Sequence, residues 1–104
     1  MTGIEACKAL RETLDLCRRS RLNTALVVMP ETTYFRSWYL PDTWRQVHSY
    51  LEGLSREYGM PLIDARAWIA DDRFLDSQHL LPSGAKQFTQ RLERHVLKAL
   101  RQGE

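Results

Sequence analysis

Two short apolar runs, separated by a helix-length segment, constrain the fold of this chain most strongly. The first is Thr24–Met29, bounded by Asn23 and Pro30, and the second is Pro61–Asp64, which could extend to Ala67. Neither run alternates apolar with polar residues, which is typical of strands covered on both faces of a parallel sheet. Because parallel strands need a crossover of a dozen or more residues, the segment between the runs must carry the chain back across the sheet.

Three further segments carry apolar residues at steps of three and four, the spacing of one helical face. They cover Gly3–Leu22, a stretch that begins at Asp42 or Thr43 and ends at Gly59, and the region after Ser83. Ser83, like Asp42 or Thr43, can cap the start of its helix, and Gly59 can end one. The predicted buried stripes are Ile4, Cys7, Leu10, Leu14 and Cys17; Trp44, Val47, Leu51, Leu54 and Tyr58; and Ala85, Phe88, Leu92, Val96 and Ala99.

The order helix, strand, helix, strand, helix predicts an α/β fold with parallel strands and right-handed crossovers. Residues 1–104 are expected to form a single domain. Residues 30–41 show no dominant period, which indicates a long loop or a short helical turn, and Asp71-Asp72 indicates another turn. Two strands do not make a stable buried sheet alone. The sheet is therefore expected to be completed by a homo-oligomer or by a complementary N-terminal half.

The charge balance excludes few partners but favours none. The net charge is +2, from 15 Lys and Arg against 13 Asp and Glu. The sequence has no basic stripe with aromatic stacking partners, so nucleic-acid binding is not expected. The cluster Arg18-Arg19-Ser20-Arg21 falls where a helix should end, and cations there complement the helix dipole. No group of His, Cys or acidic residues has metal-ligand spacing, and no glycine-rich phosphate loop occurs, so no metal or cofactor is expected.

The two cysteines and the apolar runs bear on the compartment. Cys7 and Cys17 lie ten residues apart in one predicted helix, about 15 Å of helical rise, which is too far for a bond between them. No signal-peptide layout or membrane-length apolar run is found. The chain as given is therefore expected to be cytoplasmic, although a longer parent could differ.

The candidate chemistry lies in the loops after the two strands, because functional groups collect beyond the carboxyl ends of parallel strands. One loop is Pro30–Thr33, and the other runs from Asp64 to Pro82. In the second, Asp76 precedes His79 by three residues, a spacing that can bring the carboxylate to the imidazole and fix its tautomer. The alternative is that Asp76 makes a turn while His79 packs beside the last helix.

The sequence around this pair resembles a known enzyme family. The run Phe74–Ala85, which contains Asp-x-x-His, a hydrophobic link and a small-residue helix start, is similar to the last conserved block of SGNH (GDSL-type) hydrolases. Gly59–Asp64 resembles their final strand, Thr24–Pro30 the strand before it, and the likeness covers about residues 5–98. The loop sequences Pro-Glu-Thr-Thr and Arg-Ser-Trp-Tyr are closest to SGNH-like proteins of cell-envelope acyl transfer.

The resemblance implies a partial flavodoxin-like three-layer unit, in the order α-β-α-β-α, that acts on acyl esters as a hydrolase or acyltransferase. His79 would be the general base and Asp76 its orienting carboxylate. The family's Gly-Asp-Ser nucleophile block and its later Gly and Asn oxyanion donors are absent from this chain. Without them a His-Asp pair supplies only proton transfer, so the chain is expected to be inactive alone. The rival hypothesis is a noncatalytic interaction module in which both residues are structural.

Other candidate residues have two interpretations each. Glu31 and Arg36 could contact a substrate carboxylate or hydroxyl, or form a surface ion pair. Trp38, Tyr39 and Trp44 could form a substrate wall or a hydrophobic plug. His48 and His95 are expected to pack at the boundary of the apolar stripes.

Overall fold

The computed structural model describes residues 3–102 as helices joined to a small parallel sheet. The elements are α1 (Gly3–Arg19), β1 (Leu26–Val28), α2 (Thr33–Arg36), α3 (Pro41–Tyr58), β2 (Leu62–Asp64), a 3-10 turn (Asp71–Arg73) and α4 (Pro82–Gln102). The prediction of an α/β chain with parallel strands is confirmed. None of the helices within these residues is both long enough and apolar enough to cross a membrane. The sequence also predicts that the last helix fades into a polar tail over residues 101–104, of which Gly103 and Glu104 lie outside the described residues.

The sheet consists of β1 and β2, paired in parallel over three residues each. Leu26 pairs with Leu62, and Val28 pairs with Asp64. One backbone hydrogen bond extends the ladder at each end, from Leu26 N to Pro61 O and from Ala65 N to Val28 O, both 2.9 Å. The strands are shorter than the predicted runs, in part because Pro61 has no N–H to donate.

The two faces of the sheet bury separate cores, because successive strand residues point to opposite faces. On one face the fully buried residues come from α1, α3 and the entry to β2, with Leu26 beside them. On the other face they come from the chain after β2 and from α4, with Val27 beside them. The two sets are Leu14, Leu54 and Met60 on the first face and Ala65, Ile69, Phe74 and Phe88 on the second.

Two helices begin earlier than the sequence predicts. Pro41 is the first residue of α3 and Pro82 the first of α4, so Asp42 or Thr43 as the cap of α3, and Ser83 as the cap of α4, are wrong. Proline suits this position because its missing N–H would have no partner there. The predicted end of α3 is confirmed, since Gly59 adopts the left-handed conformation with φ 63°.

Parts of the predicted stripes are exposed. Ile4 is 83% exposed, and Cys7 is exposed as well. Among the described residues of α1, only Leu14 is buried. Ala85 is also exposed, since its neighbour Gly84 occupies the buried position at the start of α4. Gly84, which has no side chain, therefore faces inward in place of Ala85.

Candidate functional site

The two loops that follow the strands lie against each other at the carboxyl end of the sheet. The carbonyl oxygen of Ser77, in the second loop, accepts two hydrogen bonds from Thr32, in the first. The backbone N of Thr32 lies 3.1 Å from that oxygen and its Oγ1 lies 2.8 Å away. The loop with the Asp-x-x-His element is therefore attached directly to the end of β1.

The Asp-x-x-His element forms the tip of a short closed loop. Phe74 and Leu80 form an antiparallel bridge at the base of this loop. Inside the loop, Leu75 N donates to His79 O at 2.7 Å. Below the bridge, the carbonyl of Arg73 accepts from Leu81 N at 2.9 Å. These backbone bonds close the loop of residues 74–80 without any regular strand.

Gly84 allows the first turn of α4 to pack on the base of this loop. A Cβ at that position would overlap the carbonyl oxygen of Arg73 and would lie 3.2 Å from Leu80 Cδ2. Any side chain would therefore push α4 away from the backbone that supports Asp76 and His79. This explains why the glycine is buried while Ala85 faces solvent.

Asp76 and His79 are in direct contact, and the carboxylate holds both the loop and the ring. Its Oδ1 accepts from the backbone N of Gln78 at 3.0 Å and from that of His79 at 2.8 Å. His79 Nδ1 lies 3.0 Å from Oδ1 and 2.9 Å from Oδ2. The two amides fix the carboxylate, and the carboxylate fixes one face of the imidazole.

These hydrogen bonds favour the ionised form of the carboxylate. The backbone N–H of Gln78 first, then that of His79 and the His79 ring, lower the pKa of Asp76 below its ordinary value of 3.8. Hydrogen bonds from N–H donors favour the ionised acid. An ionised carboxylate beside Nδ1 favours the tautomer that carries its proton on Nδ1, and in that tautomer the lone pair is on Nε2.

The free side of the imidazole faces solvent. His79 has a side-chain exposure of 68% and Asp76 of 54%, and within the described part of the chain Nε2 has no hydrogen-bond partner. A neutral imidazole with Nδ1–H held by a carboxylate and Nε2 open can accept a proton from a hydroxyl group or from water. The contact alone does not supply a nucleophile.

Glu31 and Arg36 occupy the first loop, where their polar groups are engaged within the chain. Arg36 Nη1 donates to the carbonyl oxygens of Glu31 and Arg66, both at 2.8 Å, and Nη2 reaches Thr33 Oγ1. Glu31 Oε1 pairs with Arg66 Nε at 2.7 Å, with both side chains only 12% exposed. Neither residue contacts Asp76 or His79 by any hydrogen bond of the described residues, and their role in substrate binding stays a prediction.

Three residues that organise these loops were missed by the sequence interpretation. Arg66 pairs with Glu31 and stacks on Trp44, with its guanidinium carbon 3.6 Å from the ring centroid. Asp71 accepts from the backbone N and Oγ1 of Thr33, and the same two bonds lower its pKa. Thr32 is the third. Only their position just after a strand or in a polar turn could have indicated them.

The aromatic residues of the first loop form a continuous series of ring contacts. Phe35 lies 5.0 Å from Trp38 and 5.9 Å from Tyr39, and Tyr39 lies 6.4 Å from Trp44, measured between ring centroids. Trp38 is 59% exposed, whereas Trp44 is half-buried beneath Arg66. The choice between a substrate wall and a hydrophobic plug stays a prediction for these rings.

The two remaining histidines lie on helices. His48 pairs with Glu52 at 2.7 Å and lies 5.7 Å from the Trp44 ring. His95 Nδ1 is 2.9 Å from the carbonyl oxygen of Arg91, and its ring is 4.5 Å from that of Trp68. Each imidazole thus lies beside an aromatic ring, although His95 itself is exposed.

A cleft of about 360 Å³ lies at the opposite end of the strands, beside Thr24 and Pro61. Its basic residue Arg18 stacks on Tyr58 and pairs with Asp15 at 3.5 Å. The cleft is thus separated from Asp76 and His79 by the length of the sheet. No three His, Cys, Asp or Glu side chains within residues 3–102 are grouped so that they could hold a metal ion.

Comparison with known proteins adds one finding. A protein-family model matches residues 2–101, nearly the whole chain, and the chain belongs to that family. No curated protein and no solved structure gives a significant match. The family match carries no chemistry of its own, so the function has to be argued from the residues.

Proposed function

We propose that this chain supplies the Asp-His base pair of an SGNH-type acyl-ester hydrolase or acyltransferase. The observation that carries the proposal is the contact of 2.9 Å between His79 Nδ1 and Asp76 Oδ2, combined with an open Nε2. The resemblance of residues 74–85 to the last SGNH block supports the same roles. In this proposal the two strands and their helices belong to a partial flavodoxin-like unit.

The chemical step assigned to the pair is proton transfer. Nε2 of His79 takes the proton of an attacking hydroxyl while the oxygen bonds to the ester carbonyl carbon. The Nδ1–H bond to Asp76 stabilises the imidazolium that forms. When the carbon–oxygen bond to the leaving alcohol breaks, Nε2 returns the proton to the alkoxide, and the pair is regenerated.

The attacking hydroxyl and the oxyanion donors come from residues outside this sequence in this proposal. No serine of this chain lies in a Gly-Asp-Ser block, and no described hydrogen bond joins a serine hydroxyl to His79. The acyl-ester substrate would then bind between the Asp76–His79 loop and a complementary N-terminal half, because a second copy of this chain would lack the same block.

The size of the exposed surface supports a partner. The chain exposes 7581 Å², whereas a compact monomer of 12.2 kDa exposes about 6,100 Å². Its radius of gyration is 14.9 Å, against about 12.9 Å for a compact domain of this length. Size-exclusion chromatography with light scattering is expected to give a multiple of 12.2 kDa or a complex. A stable monomer would contradict this part of the proposal.

One observation favours the rival hypothesis, a noncatalytic interaction module. The Asp76 carboxylate already accepts two backbone N–H groups, as the side chain of a purely structural turn does. In that case His79 only covers the carboxylate, and its removal changes no reaction rate.

Hydrolysis of p-nitrophenyl acetate separates the two hypotheses. The parent, His79→Gln and the control His48→Gln are compared, because His48 also pairs with a carboxylate. Because the chain lacks the nucleophile block, the attacking group in this assay is water. The base hypothesis predicts that His79→Gln loses most of the small protein-dependent rate, roughly tenfold or more, while His48→Gln keeps it. Equal rates for all three proteins would reject a base role for His79 in the chain alone.

The genomic reading frame that precedes Met1 provides the complementary test. An in-frame Gly-Asp-Ser block would identify the source of the nucleophile and support the proposal. A start codon at Met1 with no such block in neighbouring genes would favour the interaction module.

A further inference from the structure

We propose that Thr32 is a positioning residue, whose buried hydroxyl holds the Asp76–His79 loop at the carboxyl end of β1. Any effect on catalysis rests on the proposed function, whereas the effect on the loop stands by itself. Among the residues whose side chains the structure describes, Thr32 is the only polar residue that is buried, with 7% of its surface exposed.

Both hydrogen-bond donors of Thr32, its hydroxyl and its backbone N–H, are directed at the Asp76–His79 loop. Its Oγ1 donates to Ser77 O at 2.8 Å and accepts from Phe35 N at 3.1 Å. Its backbone N donates to the same Ser77 oxygen at 3.1 Å. One residue therefore caps α2 and, through two bonds, holds the loop of the candidate site.

Among the described residues, the contact is the sole hydrogen-bonded attachment of the loop tip to another part of the fold. Within residues 3–102, every other hydrogen bond of residues 75–79 joins two members of that same segment. The internal bonds set the shape of the loop tip but not its direction relative to the sheet. Thr32 sets that direction, because Ser77 lies between Asp76 and His79 in the sequence.

A consequence is that two properties of His79 are controlled separately. The tautomer depends on Asp76, which is local to the loop. The direction in which Nε2 points depends on Thr32, which is 45 residues away from Ser77 in sequence. Loss of the Thr32 hydroxyl should loosen the direction, because only the bond from Thr32 N to Ser77 O then remains, while the Asp76–His79 contact persists.

Thr32→Val tests this, because valine keeps the shape and removes the hydroxyl. We expect backbone NMR order parameters of residues 76–79 to fall from about 0.85 towards 0.6 or below. The ¹⁵N shifts of the His79 ring should stay unchanged. Thr32→Ser should restore the order, and the control Thr24→Val should leave it unchanged, since Thr24 Oγ1 bonds only the nearby carbonyl of Leu22.

The outcomes distinguish this proposal from the proposed function. A folded Thr32→Val protein with full order at residues 76–79 overturns the positioning role, whatever His79→Gln does to ester hydrolysis. A loosened loop together with no effect of His79→Gln on hydrolysis supports the positioning role and rejects a base role for His79 in the chain alone. If Thr32→Val does not fold, the scalar coupling across Thr32 N–H and Ser77 C=O in the parent decides: its presence supports the attachment and its absence overturns it.

Discussion

Two histidine–carboxylate pairs in this molecule use the same chemical groups and differ in how the carboxylate is held. On α3, His48 contacts Glu52 one turn away, and Glu52 also lies 3.9 Å from Arg56. In the loop, Asp76 accepts hydrogen bonds from two backbone amides in addition to its contact with the His79 ring. The helix pair therefore depends on flexible side chains, and the loop pair on the backbone.

The difference shows why a sequence spacing is weak evidence for a catalytic pair. Helical geometry brings any residues three or four apart together, and exposed pairs of this kind contribute little. A carboxylate held by the backbone has a fixed direction, which is what a base needs in order to keep one tautomer. The fixed carboxylate, more than the short distance, makes Asp76–His79 the stronger candidate.

Substituting two helical glycines gives the largest expected contrast between these regions. Gly84→Ala places a Cβ against the Arg73 carbonyl below the loop and should lower the free energy of unfolding by about 1–3 kcal/mol. Gly53→Ala, on the helix of the other pair, has no neighbour within 4 Å and should raise it by about 0.5–1 kcal/mol. Urea denaturation measures both, and equal shifts of the same sign would refute the close packing at Gly84.

Removing each carboxylate tests the backbone attachment. Asp76→Ala takes the acceptor from Gln78 N and His79 N, so hydrogen exchange at these two amides should accelerate roughly tenfold. Glu52→Ala should leave the amides of α3 protected, because Glu52 contacts only side chains among the described hydrogen bonds and ion pairs. Unchanged exchange in Asp76→Ala would show that the loop does not depend on the carboxylate.

The acid limb of stability gives a smaller effect. Because hydrogen bonds lower the pKa of Asp76 from 3.8, the ionised carboxylate stabilises the fold above that value. This contribution is lost as the pH falls through the lower pKa of the folded state. Asp76→Asn should therefore show a shallower loss of stability below about pH 4 than the parent. Asp71→Asn should behave likewise, since the pKa of Asp71 is also lowered. An unchanged acid limb in Asp76→Asn would argue against these hydrogen bonds.

The sequence predicted the parallel strands, the end of α3 at Gly59, and the proximity of Asp76 and His79, because each depends on local pattern or on strand direction. It misplaced the starts of α3 and α4, where proline takes the first position. It also missed Thr32, Arg66 and Asp71. Their partners lie 35 to 45 residues away in sequence, and a single sequence contains no periodicity that reports such contacts.

The central claim is that Asp76 holds the His79 ring with Nδ1 protonated and Nε2 open. A two-dimensional ¹H–¹⁵N spectrum of the imidazole rings, recorded at a pH where the ring is neutral, measures this directly. We expect the His79 Nδ1 shift to be that of a protonated nitrogen and the Nε2 shift to be that of a bare one. A His79 ring that carries its proton on Nε2 would contradict the account, because Nε2 could not then accept a proton.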